Sequence, residues 1–156
     1  AVIEHITYHK MEKQYDTDIF SQATIKGKLG VNALESTKSL YDLVVVDSAG
    51  IEMNFATELE QHNEVAVYTK LPNGFYINTP VGHYNPDWAV VFKEGENVKH
   101  IYFVAETKGT LDGDDRRGLE NAKIACARKH FASIAASEVT YDVVTNYNDL
   151  HKLITD

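Results

Sequence analysis

The sequence predicts an α/β fold, with a mixed central sheet flanked by helices, from three observations. Two apolar runs without alternation, WAVVF at 88–92 and IYFVA at 101–105, are typical of strands that are covered on both faces. The short polar link between them, Glu94-Gly95-Glu96-Asn97, predicts an antiparallel hairpin at the centre of the sheet. Helices are expected on either side of this hairpin in the chain, over 50–62 and over 114–135.

The remaining elements are predicted in chain order from β-branched residues, turn signals and caps. Ser48 is expected to cap the helix over 50–62, and Asp114 and Asp115 suit the positive end of the long helix's dipole. Residues 10–39 contain no element that the pattern assigns. The other expected elements are strands at 2–8, 43–46, 64–70, 75–77 and 139–144, a turn at 72–74, a constrained loop at 80–86 and a short helix at 150–154.

Length and composition indicate one folded domain. The 156 residues are 44% hydrophobic and 24% charged, which excludes a disordered or low-complexity chain. The single cysteine, Cys126, excludes an internal disulfide framework and a cysteine-rich zinc site. We expect a cytoplasmic protein, since no signal peptide opens the chain and no apolar run approaches the roughly 20 residues that span a bilayer. Because the chain begins at Ala1, we also expect a fragment of a longer protein.

The charge balance argues against a simple nucleic-acid clamp. The net charge is −8, whereas a protein that neutralises phosphates usually carries a basic footprint. Residues 107–130 differ from the rest, with six basic against four acidic side chains. Such a strip suits an enzyme that touches a phosphate backbone while a partner supplies most of the affinity. The alternative is a solvated helix face.

Catalytic and metal-binding residues are expected where the second apolar run ends, at Glu106-Thr107-Lys108. Alternation along a strand places Glu106 and Lys108 on the same face. Asp87 opens the partner strand, so the hairpin would place it beside Glu106. Two neighbouring carboxylates suit Mg²⁺, and Lys108 could orient the attacking water or stabilise the charge that develops on a phosphate. The alternative is a salt bridge at the sheet rim.

The helix over 50–62 adds a third carboxylate. At about 100° per residue, Glu52 borders an apolar stripe of Ile51, Phe55 and Leu59. A carboxylate at the edge of a buried stripe needs a partner, for which a metal-bound water or the Lys108 ammonium would serve. The alternative is an acid that interacts only with the helix dipole.

On the long helix, one stripe holds Leu119, Cys126 and His130, of which Cys126 and His130 are expected to be core residues. Lys123 lies beside this stripe and is expected to point into the cleft. His83 and Tyr84, just before Asp87, could reach substrate.

These residues resemble a known family. Asp87 followed by Glu106-Thr107-Lys108 is similar to the PD-(D/E)xK nuclease signature. The surrounding sequence over roughly 38–131 is more specific and resembles the C-terminal endonuclease domain of type III restriction enzyme Res subunits. The matching segments are Lys38-Ser39-Leu40-Tyr41-Asp42, Asp47-Ser48 with Glu52 and Phe55-Ala56, Lys70-Leu71-Pro72, Thr79-Pro80-Val81-Gly82, Tyr84-Asn85-Pro86-Asp87-Trp88-Ala89, Phe103-Val104, Ala122-Lys123-Ile124 and Lys129-His130-Phe131.

The resemblance implies a PD-(D/E)xK restriction-endonuclease-like core that hydrolyses double-stranded DNA with Mg²⁺, for which Mn²⁺ can substitute. The metal ligands would be Asp87, Glu106 and the Thr107 carbonyl, and Lys108 would be the catalytic lysine. Glu52 would be an outer-shell or second-metal ligand. The expected phosphate contacts are Arg116, Arg117, Lys123 and Lys129.

The resemblance also implies partners. A translocase domain of the same Res chain and a Mod methyltransferase subunit would hold the DNA, and no membrane is involved. No GxxxxGK[ST] loop is present, so ATP is expected to bind only the parent chain. Residues 1–156 would form one nuclease domain, with 1–37 as an extension and 38–156 as the core. The alternatives are a repair or recombination nuclease with the same core, and a non-catalytic docking domain that retains the motif.

Overall fold

The computed structural model describes residues 27–47, 50–72, 74–104, 114–134, 140–144 and 147–155. The elements are β1 (Ala33–Glu35), β2 (Leu43–Val45), α1 (Ile51–Gln61), β3 (Val65–Lys70), β4 (Ile77–Thr79), β5 (Gly82–Tyr84), β6 (Trp88–Glu94), β7 (Asn97–Val104), α2 (Asp114–Ile134), β8 (Thr140–Val144) and α3 (Tyr147–Thr155). The strand predicted at 2–8 lies outside the described residues.

Four strands form the central sheet in the order β3-β6-β7-β8. β6 is antiparallel to both β3 and β7, whereas β8 runs parallel to β7 after the crossover through α2. The predicted mixed sheet is confirmed, and the predicted hairpin forms its two central strands, with Val90 opposite Tyr102. Gly95 lies in the hairpin turn at a φ of +63°, a conformation that glycine adopts without steric cost.

Each face of this sheet is covered by its own apolar cluster, so the chain has three layers. The cluster on the side of α1 and α3 includes Val46, Phe55, Leu59, Trp88, Val90 and Leu150. The cluster on the side of α2 includes Ile77, Tyr84, Ile124, Ala127 and Val143. Val143 and Val144 are neighbours in β8 but belong to opposite clusters, as the alternation of side chains along a strand requires.

The predicted loop over 80–86 is wrong in part, because it contains a strand. β5 pairs with β4 in a short hairpin in which Tyr84 lies opposite Ile77, and the strand expected at 75–77 lies instead at Ile77–Thr79. Pro80 lies only in the turn, where it needs no ladder hydrogen bond. The turn expected at 72–74 is supported by the hydrogen bond from the Phe75 N–H to the Pro72 carbonyl, at 2.8 Å.

The predicted cap and buried face of α1 also need correction. The N-cap is Gly50, without a side-chain cap hydrogen bond, and not Ser48. The buried residues are Glu52, Phe55, Ala56 and Leu59, whereas Ile51 is 64% exposed. The helix is therefore rotated relative to the expected stripe, and Glu52 lies within the buried face and not at its border. No helix among the described segments is long and apolar enough to cross a bilayer.

Candidate active site

Asp87 lies where three strands of the central sheet end side by side. Its backbone N–H donates to the Val104 carbonyl at 2.8 Å, and its own carbonyl accepts from the Leu71 N–H at 2.7 Å. The next residue, Trp88, pairs with both Lys70 of β3 and Val104 of β7. The backbone of Asp87 is thus held on both sides, because residues on each neighbouring strand end bond to it.

The predicted partners of Asp87 follow directly after β7. The last residue of that strand is Val104, and Glu106, Thr107 and Lys108 lie outside the described residues. The register shows that Asp87 lies at the end of the hairpin that leads into Glu106-Thr107-Lys108, as the sequence predicts. The roles of these residues stay predictions.

Glu52 lies in the first turn of α1 with its side chain only 2% exposed. Its charge is compensated by Lys70, the last residue of β3, whose ammonium donates to both carboxylate oxygens at 3.1 Å. The Asp47 N–H donates to Oε2 of the same carboxylate at 2.6 Å. Lys70 is therefore a partner that the sequence did not indicate, and the expected pairing with Lys108, which lies outside the described residues, stays a prediction.

Lys70 bridges two carboxylates. Besides Glu52, its ammonium donates to Oδ2 of the exposed Asp47 at 2.7 Å, and it lies 5.9 Å from the centre of the Trp88 ring. Burial alone would lower the pKa of Lys70, but its hydrogen bonds and ion pairs with Asp47 and Glu52 outweigh burial and raise that pKa above its usual value. The amine therefore stays protonated throughout the physiological range.

These two features occupy the same end of the sheet. Lys70 lies opposite Trp88, and Trp88 directly follows Asp87, so the Glu52–Lys70–Asp47 cluster and Asp87 lie at one edge. Counted over the described residues alone, this edge has three carboxylates and one ammonium, an excess of negative charge. Such an edge attracts cations, and its oxygen donors are of the kind that Mg²⁺ prefers.

Among the described residues, no three His, Cys, Asp or Glu side chains are grouped so that they could hold a metal ion together. Two of the predicted ligands, Glu106 and the Thr107 carbonyl, lie outside those residues. The complete metal-ligand set therefore stays a prediction, with Asp87 as its described member.

The four predicted phosphate contacts all lie on α2. Arg116 and Arg117 belong to its first turn, Lys123 is partly buried and Lys129 is exposed. At about 100° per residue, Lys123 and Lys129 lie about 120° apart around the helix. A Cβ placed on Gly82, in the turn of the β4–β5 hairpin, would come 3.5 Å from Cε of Lys123, so this lysine lies against the hairpin.

The other candidates on α2 and the hairpin are mostly core residues. Cys126 is buried as expected, but Leu119 is 49% exposed, and the buried positions beside Cys126 are Ile124 and Ala127. His130 is half-buried, and this burial lowers its pKa. Tyr84 is fully buried in the core, contrary to the expectation that it could reach substrate, whereas His83 is exposed and stacks on Tyr76 at 3.9 Å between ring centroids.

Sequence reasoning assigned no role to Lys70 and Asp47, although both stand in the segments that carry the family resemblance. One signal could have found them. A buried carboxylate requires a cation, and Lys70 ends a strand on the same sheet edge as Asp87. The pairing itself joins residues 18 apart in sequence, across a helix–strand boundary, where no local periodicity applies.

Comparison with known proteins identifies a family. The family model described as an endonuclease domain matches residues 37–147. No curated protein and no solved structure is similar to the chain. With the family match, the mixed central sheet flanked by helices is the restriction-endonuclease-like fold that the sequence predicts.

Proposed function

The chain belongs to the endonuclease-domain family, and on that premise we propose that it is the DNA-cleaving module of a type III restriction enzyme Res subunit. In this proposal it hydrolyses phosphodiester bonds of double-stranded DNA with Mg²⁺ as cofactor. The more specific assignment depends on the sequence segments between 38 and 131 that resemble such subunits.

One observation carries the proposal. The β6–β7 register ends with Trp88 opposite Val104, and Asp87 is bonded through its N–H to the Val104 carbonyl. The backbone of an acidic residue is therefore fixed next to the point from which the chain continues into Glu106-Thr107-Lys108. A nuclease of this type needs an acidic residue at one strand end and an acidic residue followed two positions later by lysine at its neighbour.

The donor chemistry of this edge fits Mg²⁺. Asp87, Glu106 and the Thr107 carbonyl would supply hard oxygen ligands, which suit an ion that takes one or two carboxylates and keeps several waters. When bound, the ion would polarise the scissile phosphate and lower the pKa of a coordinated water. Mn²⁺, with the same preference for oxygen, should substitute.

Basic side chains of the chain itself would act on the attacking water and on the DNA phosphates. The Lys108 ammonium orients the attacking water and stabilises negative charge on the phosphate as it develops. Arg116, Arg117, Lys123 and Lys129 contact phosphates along the DNA strand and hold it in register with Asp87. Backbone hydrogen bonds on both sides of Asp87 hold its main chain in place, so the side chain starts from a fixed point on the sheet edge.

The acidic net charge of −8 fits a module that does not hold DNA alone. A translocase domain in the same Res chain and a Mod subunit would supply most of the DNA affinity and the site recognition. ATP would be bound by that translocase domain and not by this one, which lacks the phosphate-binding loop motif.

The test is DNA cleavage by the full Res chain assembled with its Mod subunit. Glu106→Gln and Lys108→Ala should each reduce the cleavage rate about 100-fold or more, since each removes a group that acts on the reacting phosphate. Glu96→Gln and Lys93→Ala remove exposed charges at the opposite end of the same hairpin and should leave the rate unchanged. Undiminished cleavage by either of the first two variants would refute the proposed function.

A further inference from the structure

The Lys70 ammonium lies in front of the Glu52 carboxylate, in the position that a bound metal ion would take. It is 3.1 Å from Oε1 and 3.1 Å from Oε2, so it is equidistant from the two oxygens. A third contact, 2.7 Å to Oδ2 of Asp47, makes it a bridge between two carboxylates. Carboxylate oxygens are also the ligands that Mg²⁺ and Mn²⁺ prefer, so the ammonium and a divalent ion would compete for the same two side chains.

We propose that Lys70 is the built-in cation of this site, that it excludes a second divalent ion from Glu52 and Asp47, and that the domain therefore works with one metal ion. This inference rests on the proposed function, because it assigns the part of the site next to Asp87. It selects the outer-shell role for Glu52 over the role of second-metal ligand. Lys70 is then a positioning residue that holds the Glu52 carboxylate still.

The ion pair between Glu52 and Lys70 is largely buried. The Glu52 side chain is 2% exposed and that of Lys70 is 17% exposed, so water screens their attraction poorly. A buried carboxylate must keep a compensating cation, and Lys70, the last residue of β3, supplies one to Glu52. Without this ammonium, the buried carboxylate would need a replacement cation, which a divalent ion can supply.

Both oxygens of the Glu52 carboxylate already accept hydrogen bonds. Both Glu52 oxygens accept from Lys70, and Oε2 also accepts from the Asp47 N–H at 2.6 Å. A divalent ion on the same two carboxylates would lie within a few ångströms of the ammonium, where two positive charges repel strongly at low dielectric. The ammonium and a second metal ion therefore exclude each other.

The position of Lys70 is fixed by the central sheet. Lys70 is held by its place in β3, where it pairs with Trp88, and its amine lies 5.9 Å from the centre of the Trp88 ring. The same Trp88 directly follows Asp87. A substitution at Lys70 would therefore alter the packing around Trp88, the neighbour of the proposed metal ligand Asp87.

The test counts the Mn²⁺ ions bound by the 156-residue chain, with free Mn²⁺ measured by electron paramagnetic resonance. Lys70→Met removes the charge but keeps the length of the side chain, and it should bind one more Mn²⁺ than the wild type. Lys70→Arg keeps the cation and should bind the wild-type number. Combining Lys70→Met with Glu52→Gln should abolish the additional ion. An unchanged number in Lys70→Met, with the fold verified by circular dichroism, would overturn the inference.

A second variant keeps the test decisive if Lys70→Met does not fold. Glu52→Gln alone should leave the number of bound Mn²⁺ unchanged, because Lys70 and not a metal ion occupies that carboxylate. Loss of one bound ion would overturn the inference. The proposed function is tested separately by the wild-type number. One ion that disappears in Asp87→Ala supports it, and no bound ion either with or without a short DNA duplex contradicts it. The difference between Lys70→Met and wild type still decides the role of Lys70.

Discussion

Glu60 joins the segment before β2 to the core, and its replacement by glutamine should destabilise the domain in a pH-dependent way. Its carboxylate accepts from the Ser36 hydroxyl at 2.7 Å, from the Thr37 N–H at 2.7 Å and from the Thr37 hydroxyl at 2.6 Å. The Tyr68 hydroxyl, on β3, adds a fourth hydrogen bond at 3.1 Å. Glu60 thus connects α1 with both the 36–37 segment and the sheet.

The magnitude follows from the pKa of Glu60. Burial alone would raise it, but the hydrogen bonds from Thr37, Ser36 and Tyr68 outweigh burial and lower it from 4.5 to about 2. At about 1.36 kcal/mol for each pKa unit, this difference corresponds to about 3.4 kcal/mol before solvent screening. Because the site is only partly buried, we expect about 1–2 kcal/mol of the folding free energy to depend on the charge of Glu60.

The sign of the pH dependence is fixed by this lowered pKa. The contribution is fully present above pH 4.5 and is lost as the pH falls toward about 2. Urea denaturation at neutral pH should therefore show Glu60→Gln to be less stable than wild type by about 1–2 kcal/mol, and the difference should shrink below pH 4. Glu58→Gln, on the same helix, serves as the control, because Glu58 is half-exposed and its ion pair is with the half-exposed His151. A difference between Glu60→Gln and wild type that is absent at neutral pH, or constant down to pH 2.5, would refute this reasoning.

Three further predictions concern the core, the DNA surface and alkaline stability. Leu59→Ala should cost about 2–5 kcal/mol in urea denaturation, because Leu59 is fully buried, whereas Leu153→Ala, at an exposed position, should cost less than about 0.5 kcal/mol. Lys123→Ala should weaken duplex binding by the full complex for all sequences and reduce the salt slope by about 1, unlike Lys152→Ala on α3; equal slopes would contradict the phosphate contact. Burial, with the neighbouring carboxylate, raises the pKa of Tyr68 to about 12, so stability should fall as pH rises from 10 to about 12, and an ordinary tyrosine titration in difference absorbance would contradict this.

The central sheet could be predicted from sequence because its two central strands are unusually apolar. Burial on both faces leaves a continuous run such as WAVVF, and only a short turn joins the two runs. The long helix α2 was predicted over 114–135 and spans Asp114–Ile134, since it has acidic residues at its start and is free of proline.

Other features could not be predicted from sequence, because they depend on contacts between distant segments. Ile51 fits the apolar stripe of α1 by periodicity, yet the sheet covers the face that carries Glu52, so the helix buries an acid in place of an isoleucine. Periodicity gives the angle between residues but not which face meets the core. The β4–β5 hairpin could not be predicted because Pro80 indicates a loop, although this proline occupies only the turn between the two strands.

The candidate site was predicted in part for the same reason. The position of Asp87 follows from the hairpin register, which local pattern determines. The pairing of Glu52 with Lys70 depends on how α1 packs on β3, which no spacing in the sequence encodes. Sequence could state that Glu52 needs a cation, but only the structure could identify it.

The most direct test of the account is a calorimetric titration of Mg²⁺ and Mn²⁺ into the 156-residue chain, with wild type beside Asp87→Ala and Asp42→Ala. Asp42 is an exposed aspartate outside the site and serves as the matched control. The account predicts binding in wild type and in Asp42→Ala, and loss of binding in Asp87→Ala. The titration is repeated with a short DNA duplex, because phosphate oxygens can complete the ligand set. Equal binding by all three proteins, or no binding with and without duplex, would contradict the metal site at Asp87.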